Sequence, residues 1–187
     1  MNNKSVILST IGFMCIGFTV WMLNLHEAGW ISGPSAVGMA MAFTMGSMLL
    51  GVIAILAFLH GGRVLDAVIF FGAAGLFWTQ VHVHQHGGAS MGDAGVGWYW
   101  FLWALFFFYL WLASFKAGWA RMLFLLASWV SLLATALGVW TGGAHVFWFI
   151  AAYAALIAAL LAIYISAAEM INHGSGRTVL STGARDG

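Results

Sequence analysis

Six apolar runs, at residues 6–25, 36–59, 64–83, 97–115, 120–140 and 145–167, take up most of the 187-residue chain. Each is about 20 residues, the length that crosses a hydrocarbon core of about 30 Å as a helix. In lipid, backbone N–H and C=O groups must be satisfied within the segment, which restricts runs of this length to helices. The pattern predicts an all-α integral membrane protein, a bundle of six transmembrane helices. Lys4 precedes the first run and Arg63 follows the second. Lys116 and Arg121 flank the fourth connector, and Arg177 and Arg185 lie in the tail. The first, third and fifth connectors carry neither Lys nor Arg. Basic residues in short loops stay on the cytoplasmic side, so both termini are expected to be cytoplasmic. The expected location is the cell inner (plasma) membrane, crossed several times.

Charged residues make up only 6% of the chain, against about 25% in a soluble domain. The net charge of +1 supplies no basic patch for nucleic acid. The expected partners are the lipid bilayer and a small-molecule solute. The organisation reads as a six-span domain over 1–171 and a short polar cytoplasmic tail over 172–187. The first run is longer than a signal peptide's apolar segment and lacks a clear cleavage site, so it reads as a span. Cys15 lies inside it and reads as a small packing residue. Pro34 and Gly pairs such as Gly61-Gly62 and Gly142-Gly143 mark connectors, short enough for an up-and-down bundle.

Span six carries two small-residue rows, Ala151, Ala155 and Ala159, and Ala154, Ala158 and Ala162. Such rows let helices approach closely, within a subunit or between subunits. Trp21, Trp30, Trp98, Trp100, Trp140 and Trp148 read as an interfacial belt. Phe71, Phe77 and Trp78 in span three read as core or as path lining. Arg63 and Asp66, three residues apart, suggest a helix-end ion pair.

No span carries Lys or Arg near its middle, which argues against a voltage sensor or a carrier with a fixed cation. Polar residues within the spans favour the outer half: Asn24, Thr44, Thr79, Gln80 and Thr135. With His26 and the histidines of connector three, they suggest an outer vestibule narrowing to apolar walls. A solute crossing as a neutral species suits it, because a carboxylate leaves water at far greater cost than its acid. His82, His84 and His86 form the most unusual cluster. Zn or Cu binding, pH sensing or proton relay, and a solvated cluster all stay open for it. No cofactor is expected apart from that metal alternative. No nucleophile with a positioned base, phosphate loop or buried carboxylate pair is evident, so an enzyme is not expected.

Several strings resemble the acetate uptake transporter (succinate–acetate permease) family. They are Gly17-Phe18-Thr19 leading to Leu23-Asn24-Leu25-His26 and Gly29-Trp30, then Gly75-Leu76-Phe77-Trp78, then Glu169, Asn172 and Gly176-Arg177-Thr178-Val179-Leu180. The resemblance covers nearly the whole chain. It implies a homohexamer of six-span subunits, each with its own pore, passing acetate and related small acids, often in symport with a proton. It places Asn24, His26, Ala74, Phe77 and Trp78 along the solute path, where the polar pattern adds Thr44 and Thr79, and Glu169 and Arg177 at the structural inner end. The departures concern the path. The opening motif of span one keeps only Gly12. The family's bulky constriction falls at Ile16, Ala74 and Ser128, and its span-two glutamine and glutamate at Leu50 and Ala57.

The leading expectation is a channel or transporter for acetate or another small weak monocarboxylic acid. The alternatives are a channel for a neutral solute such as urea, ammonia or a gas, and a non-transporting accessory subunit that uses the histidine cluster.

Overall fold

Residues 3–32, 36–83, 85 and 92–183 are described by a computed structural model, which is helical with no strand among them. The helices are α1 (Asn3–Glu27), α2 (Ala36–Leu59), α3 (Val64–His82), α4 (Gly92–Ala113), α5 (Trp119–Trp140) and α6 (His145–Ser175). All six spans are long and apolar enough to cross a membrane. The chain runs up and down, so an even number of crossings returns α6 to the end where α1 begins. That end is called the tail end below, and the opposite end the rim.

Hydropathy marks only the lipid-facing part of a helix, and the helices outrun it. α1 starts at Asn3, α4 reaches back to Gly92, and α6 continues to Ser175. At 1.5 Å per residue the 31 residues of α6 extend about 46 Å, well beyond a hydrocarbon core. Gly176 ends α6 in the left-handed region (φ 62°), a conformation glycine adopts without Cβ strain.

α1 packs chiefly on α6, α6 on α5, α5 on α4, and α2 on α3 and α1. The α3–α4 seam is much slighter. The six helices thus form a ring rather than a filled bundle. Close approach depends on small side chains, because lipid offers no hydrophobic drive between helices. A Cβ at Gly17 would stand 3.0 Å from the Ala159 carbonyl oxygen. Ala155, Ala158, Ala159 and Ala162 are buried against neighbouring helices, so the small rows of α6 serve packing within this chain. Ser166 ties α6 to α1 by donating to the Thr10 carbonyl at 2.8 Å.

Residues Ala42–Leu49 in the middle of α2 form a π-helix, which hydropathy did not indicate. π segments are rare and often lie beside functional sites. Here Gly46 sits in the widened turn, where a Cβ would come within 2.7 Å of the Phe77 ring. Phe71 corrects the expectation for span three: its side chain is 69% exposed, so it faces outward and neither fills the core nor lines a path.

Candidate functional site

The ring encloses a cavity of about 250 Å³ to which every helix contributes. Toward the rim its wall carries Asn24, His26 and Glu27 from α1, Gln80 from α3, Thr135 from α5 and Trp148 from α6. Deeper lie Val20, Leu76, Phe77, Ser128, Ser131 and the alanines of α6, then Ile16, Phe107 and Phe124. Polar groups give way to apolar ones with depth.

The hydroxyls of α5 are oriented by backbone carbonyls, those of Ser128 and Thr135 by α5 itself and that of Ser131 by α6. Ser128 donates to the Phe124 carbonyl at 2.8 Å, Ser131 to the Ala151 carbonyl at 2.9 Å, and Thr135 to the Ser131 carbonyl at 2.9 Å. A carbonyl oxygen can only accept, so each hydroxyl has committed its one proton. What these groups still offer the cavity is an acceptor lone pair. Asn24 uses one amide N–H on the Val20 carbonyl at 2.8 Å, leaving its oxygen and a second N–H. No Lys or Arg is among the cavity residues, and the ionisable ones, His26 and Glu27, stand at the rim.

Below the cavity three phenyl rings from three helices meet. Phe13 makes edge contacts with Phe70 at 5.2 Å and Phe124 at 5.6 Å between centroids. All three are almost completely buried, and they form an aromatic floor. A Cβ at Gly12 would collide with the Phe70 ring, so glycine there lets α1 and α3 close around it.

Beneath the floor lies a buried ion cluster. Arg121 is fully buried, yet it starts α5 only two residues after Trp119. Its Nε donates to Asp66 Oδ1 at 2.9 Å and its Nη2 to Asp66 Oδ2 at 3.0 Å, a bidentate pair. Nη2 also donates to Glu169 Oε1. Ser9 donates to Asp66 Oδ2 at 3.0 Å, and the guanidinium lies 5.3 Å from the Phe13 ring centre. One guanidinium thus joins α1, α3, α5 and α6. Two sequence expectations are corrected here. Arg63 does not pair with Asp66; it reaches Glu169 at 3.5 Å, because Asp66 turns inward to Arg121. A buried carboxylate pair does exist, Asp66 and Glu169, held on one arginine.

The tail folds back over this end. Asn172 Oδ1 accepts from the backbone N–H of Val179 and Leu180 at 2.7 and 2.9 Å, and its Nδ2 donates to the Leu180 carbonyl at 2.7 Å. Tyr164 donates to the Ser181 carbonyl at 2.9 Å.

No family model matches the chain. An uncharacterized protein of Methanothermobacter thermautotrophicus is 25% identical over 97% of this chain and 93% of its own length. The succinate-acetate/proton symporter SatP of Escherichia coli is 29% identical over 97% of both chains. The solved structure of the bacterial acetate channel SatP superposes with a TM-score of 0.86 at 23% identity, covering 94% of this chain and 98% of that one. The chain is similar over nearly its whole length to that symporter and shares the fold of that channel. It is a multi-pass membrane protein, and its relatives are transporters and channels rather than enzymes.

The path residues expected from sequence divide between two faces. Asn24, His26 and Phe77 line the cavity, as do Gln80, Thr135, and the constriction positions Ile16 and Ser128. Thr44 lies outside it, exposed, with its hydroxyl on the Ala40 carbonyl at 2.8 Å. Ala74 is buried toward α2, in reach of Gly51. Trp78 is 43% exposed and stacks on Phe43 and His82. Thr79 pairs with the Tyr99 hydroxyl at 2.9 Å across the α3–α4 seam. His82 bonds the Trp78 carbonyl at 2.9 Å, whereas His84 and His86 lie outside the described residues. Among the described residues no group of three His, Cys, Asp or Glu side chains could hold a metal. Leu50 and Ala57 are buried away from the cavity.

Sequence reasoning missed Ser131, Trp100 and Trp148 as cavity residues. The two tryptophans read as interfacial belt. Ser131 does stand one turn from both Ser128 and Thr135, a polar stripe in an otherwise apolar helix that could have marked the cavity face. Glu169 pairs with Arg121 and Arg63 at the tail end, while Arg177 is exposed beside a basin at that end.

Proposed function

We propose that this protein is a membrane channel or transporter for acetate or another small weak monocarboxylic acid, passing it as the neutral acid. The observation that carries this reading is the set of spent hydroxyls on α5. Ser128, Ser131 and Thr135 can accept but not donate. A carboxylate needs donors, whereas a carboxylic acid brings its own O–H and suits acceptors. The cavity's donor-bearing residues are Asn24, Gln80, His26 and the tryptophans Trp100 and Trp148, which suffice for the acid's carbonyl. Burying an unpaired carboxylate carries an idealised cost of order 20 kcal/mol, and the cavity supplies no cation to offset it. Passage beyond it requires the Phe13, Phe70 and Phe124 rings to part.

The proton would then travel with the solute as part of the acid. In this reading both termini are cytoplasmic, the rim faces outward, and the protein lies in the plasma membrane as a homo-oligomer, a hexamer by likeness to the family. A neutral donor-bearing solute such as urea or ammonia shares the same chemistry, and the spent hydroxyls favour it equally. Uptake of labelled acetate into proteoliposomes, with urea and ammonia swelling assays alongside, separates the two. Acetate flux that scales with the undissociated acid supports the proposal. Urea or ammonia flux without acetate flux selects the neutral-solute reading, and no flux of any kind removes both.

A further inference from the structure

A π turn holds one residue more than the α turn it replaces. It can therefore pass along a helix by one position while both flanks keep their register. The wide turn of α2, Ala42–Leu49, lies in the middle of a span, where a backbone group that loses its partner must find another within the protein. Ser47 meets that need in the described arrangement. Its hydroxyl donates to the Phe43 carbonyl, the acceptor that its own amide would use in an α-helix. Gly46 and Ser47 are both buried within the ring, so a shift of the turn would be felt by the helices beside it.

Two side chains stand against Gly46. A Cβ there would come within 2.7 Å of the Phe77 ring and 3.0 Å of Thr19 Cγ2. Phe77 lines the cavity. When the turn moves by one position, Gly46 leaves this place and Met45 or Ser47 brings a side chain into it, which presses the ring toward the cavity. Thr19 is fully buried, and its hydroxyl has no hydrogen-bond partner among the described residues. A helical threonine commonly donates to a carbonyl of its own helix three or four residues back; this one does not. A buried donor left unused is costly, so an arrangement that offers it an acceptor gains on the described one. The carbonyls of the wide turn change partners as the turn moves, and they lie on the helix that Thr19 faces.

We propose that the wide turn of α2 is a gate on the cavity with two positions. In the described one Phe77 rests beside Gly46, the cavity is open, and Ser47 holds the turn. In the second the Phe77 ring narrows the cavity, and the Thr19 hydroxyl holds the turn by donating to a carbonyl of α2. Thr19 is thus a positioning residue that acts through Phe77. As a gate the device rests on the transport reading above; as a turn with two positions it is tested without it. The first measurement is hydrogen–deuterium exchange over residues 42–49 in the purified full-length protein in detergent. Ser47→Ala takes support from the described position and should speed exchange there about fivefold, the weight of one net hydrogen bond. Adding Thr19→Val takes support from the second position and should bring exchange back near the wild-type rate, whereas adding Thr19→Ser, which keeps the hydroxyl, should not. Thr19→Val alone should melt no lower than wild type, because it breaks no bond of the described position. The second measurement is acetate uptake into proteoliposomes. Ser47→Ala should lower it severalfold, and Thr19→Val on top should restore it, a coupling of opposite sign to that of two independent losses. A double variant no better than Ser47→Ala in exchange or in uptake overturns the proposal, as does a lowered melting temperature in Thr19→Val. A wild type that takes up no solute removes the transport reading and with it the gate, and the exchange rates then decide by themselves whether the turn has two positions.

Discussion

Around the cavity, Gln80, Ser131 and Thr135 face an open volume whose ionisable residues, His26 and Glu27, stand only at its rim. At the tail end, Arg121, Asp66, Glu169 and Ser9 close on one another with almost no exposure. The same ring of helices handles polar atoms in two ways. Where solute is proposed to pass, polarity is mostly uncharged, oriented by backbone carbonyls and left with acceptor capacity to spare. Where the helices must be held together, polarity is ionic and gathered on one guanidinium. A charge in the cavity would trap a counter-ion, whereas the same charge beneath the floor ties four helices. The aromatic floor is the boundary between these regimes.

The largest effect should come from breaking the ionic end. Arg121→Met leaves Asp66 buried without its counter-charge and Glu169 with Arg63 alone, a loss of about 3–5 kcal/mol in buried pairs of this kind. Thermal unfolding in detergent should show a large drop in melting temperature, and restoring an apolar partner with Asp66→Leu should recover part of it. Equal stability of the single variant and wild type would mean that the cluster does not hold the ring. Next is the boundary. Phe124→Ala opens the floor and should raise acetate flux about tenfold, equivalent to about 1.4 kcal/mol off the barrier. Unchanged flux would place the barrier elsewhere.

The π-turn offers a subtler test of the cavity. Gly46→Ala should press the Phe77 ring into the cavity and lower flux severalfold, more for propionate than for acetate. Adding Phe77→Leu should restore it, which separates narrowing from misfolding. Within the polar wall, Gln80→Leu removes an amide worth about 1 kcal/mol as a net hydrogen bond, and flux should fall about fivefold at low acetate. The smallest effect is expected on the outer face. Thr44→Ala, exposed and outside the cavity, should change neither stability nor flux measurably, as is usual for surface positions.

The two regimes were not equally legible in the sequence. Six spans followed from run length alone, because lipid permits so few backbone solutions. The polar-to-apolar gradient followed from where Asn24, Gln80 and Thr135 sit in their runs. Which polar residues share a face did not follow, since that depends on how each helix is rotated in the ring. Thr79 and Gln80 are adjacent, yet one meets Tyr99 across the α3–α4 seam and the other faces the cavity. The ion cluster was illegible for another reason. Asp66 and Arg121 are 55 residues apart, and Arg121 and Glu169 48 apart, whereas the Arg63–Asp66 spacing offered a nearer and mistaken partner. Arg121 reads in the sequence as one of the topology-setting cations, whereas in the fold it is buried and paired. The basic residues nearest that end still include Lys4, Arg63, Lys116 and Arg177.

The central claim is that solute passes through the cavity lined by α5. Ser131→Cys places a thiol on that wall, in a chain whose own Cys15 is fully buried. Treatment with a small polar thiol reagent should abolish acetate uptake into proteoliposomes in the variant and spare the wild type, and excess acetate should slow the modification. Complete labelling of residue 131 with acetate uptake undiminished would contradict the account.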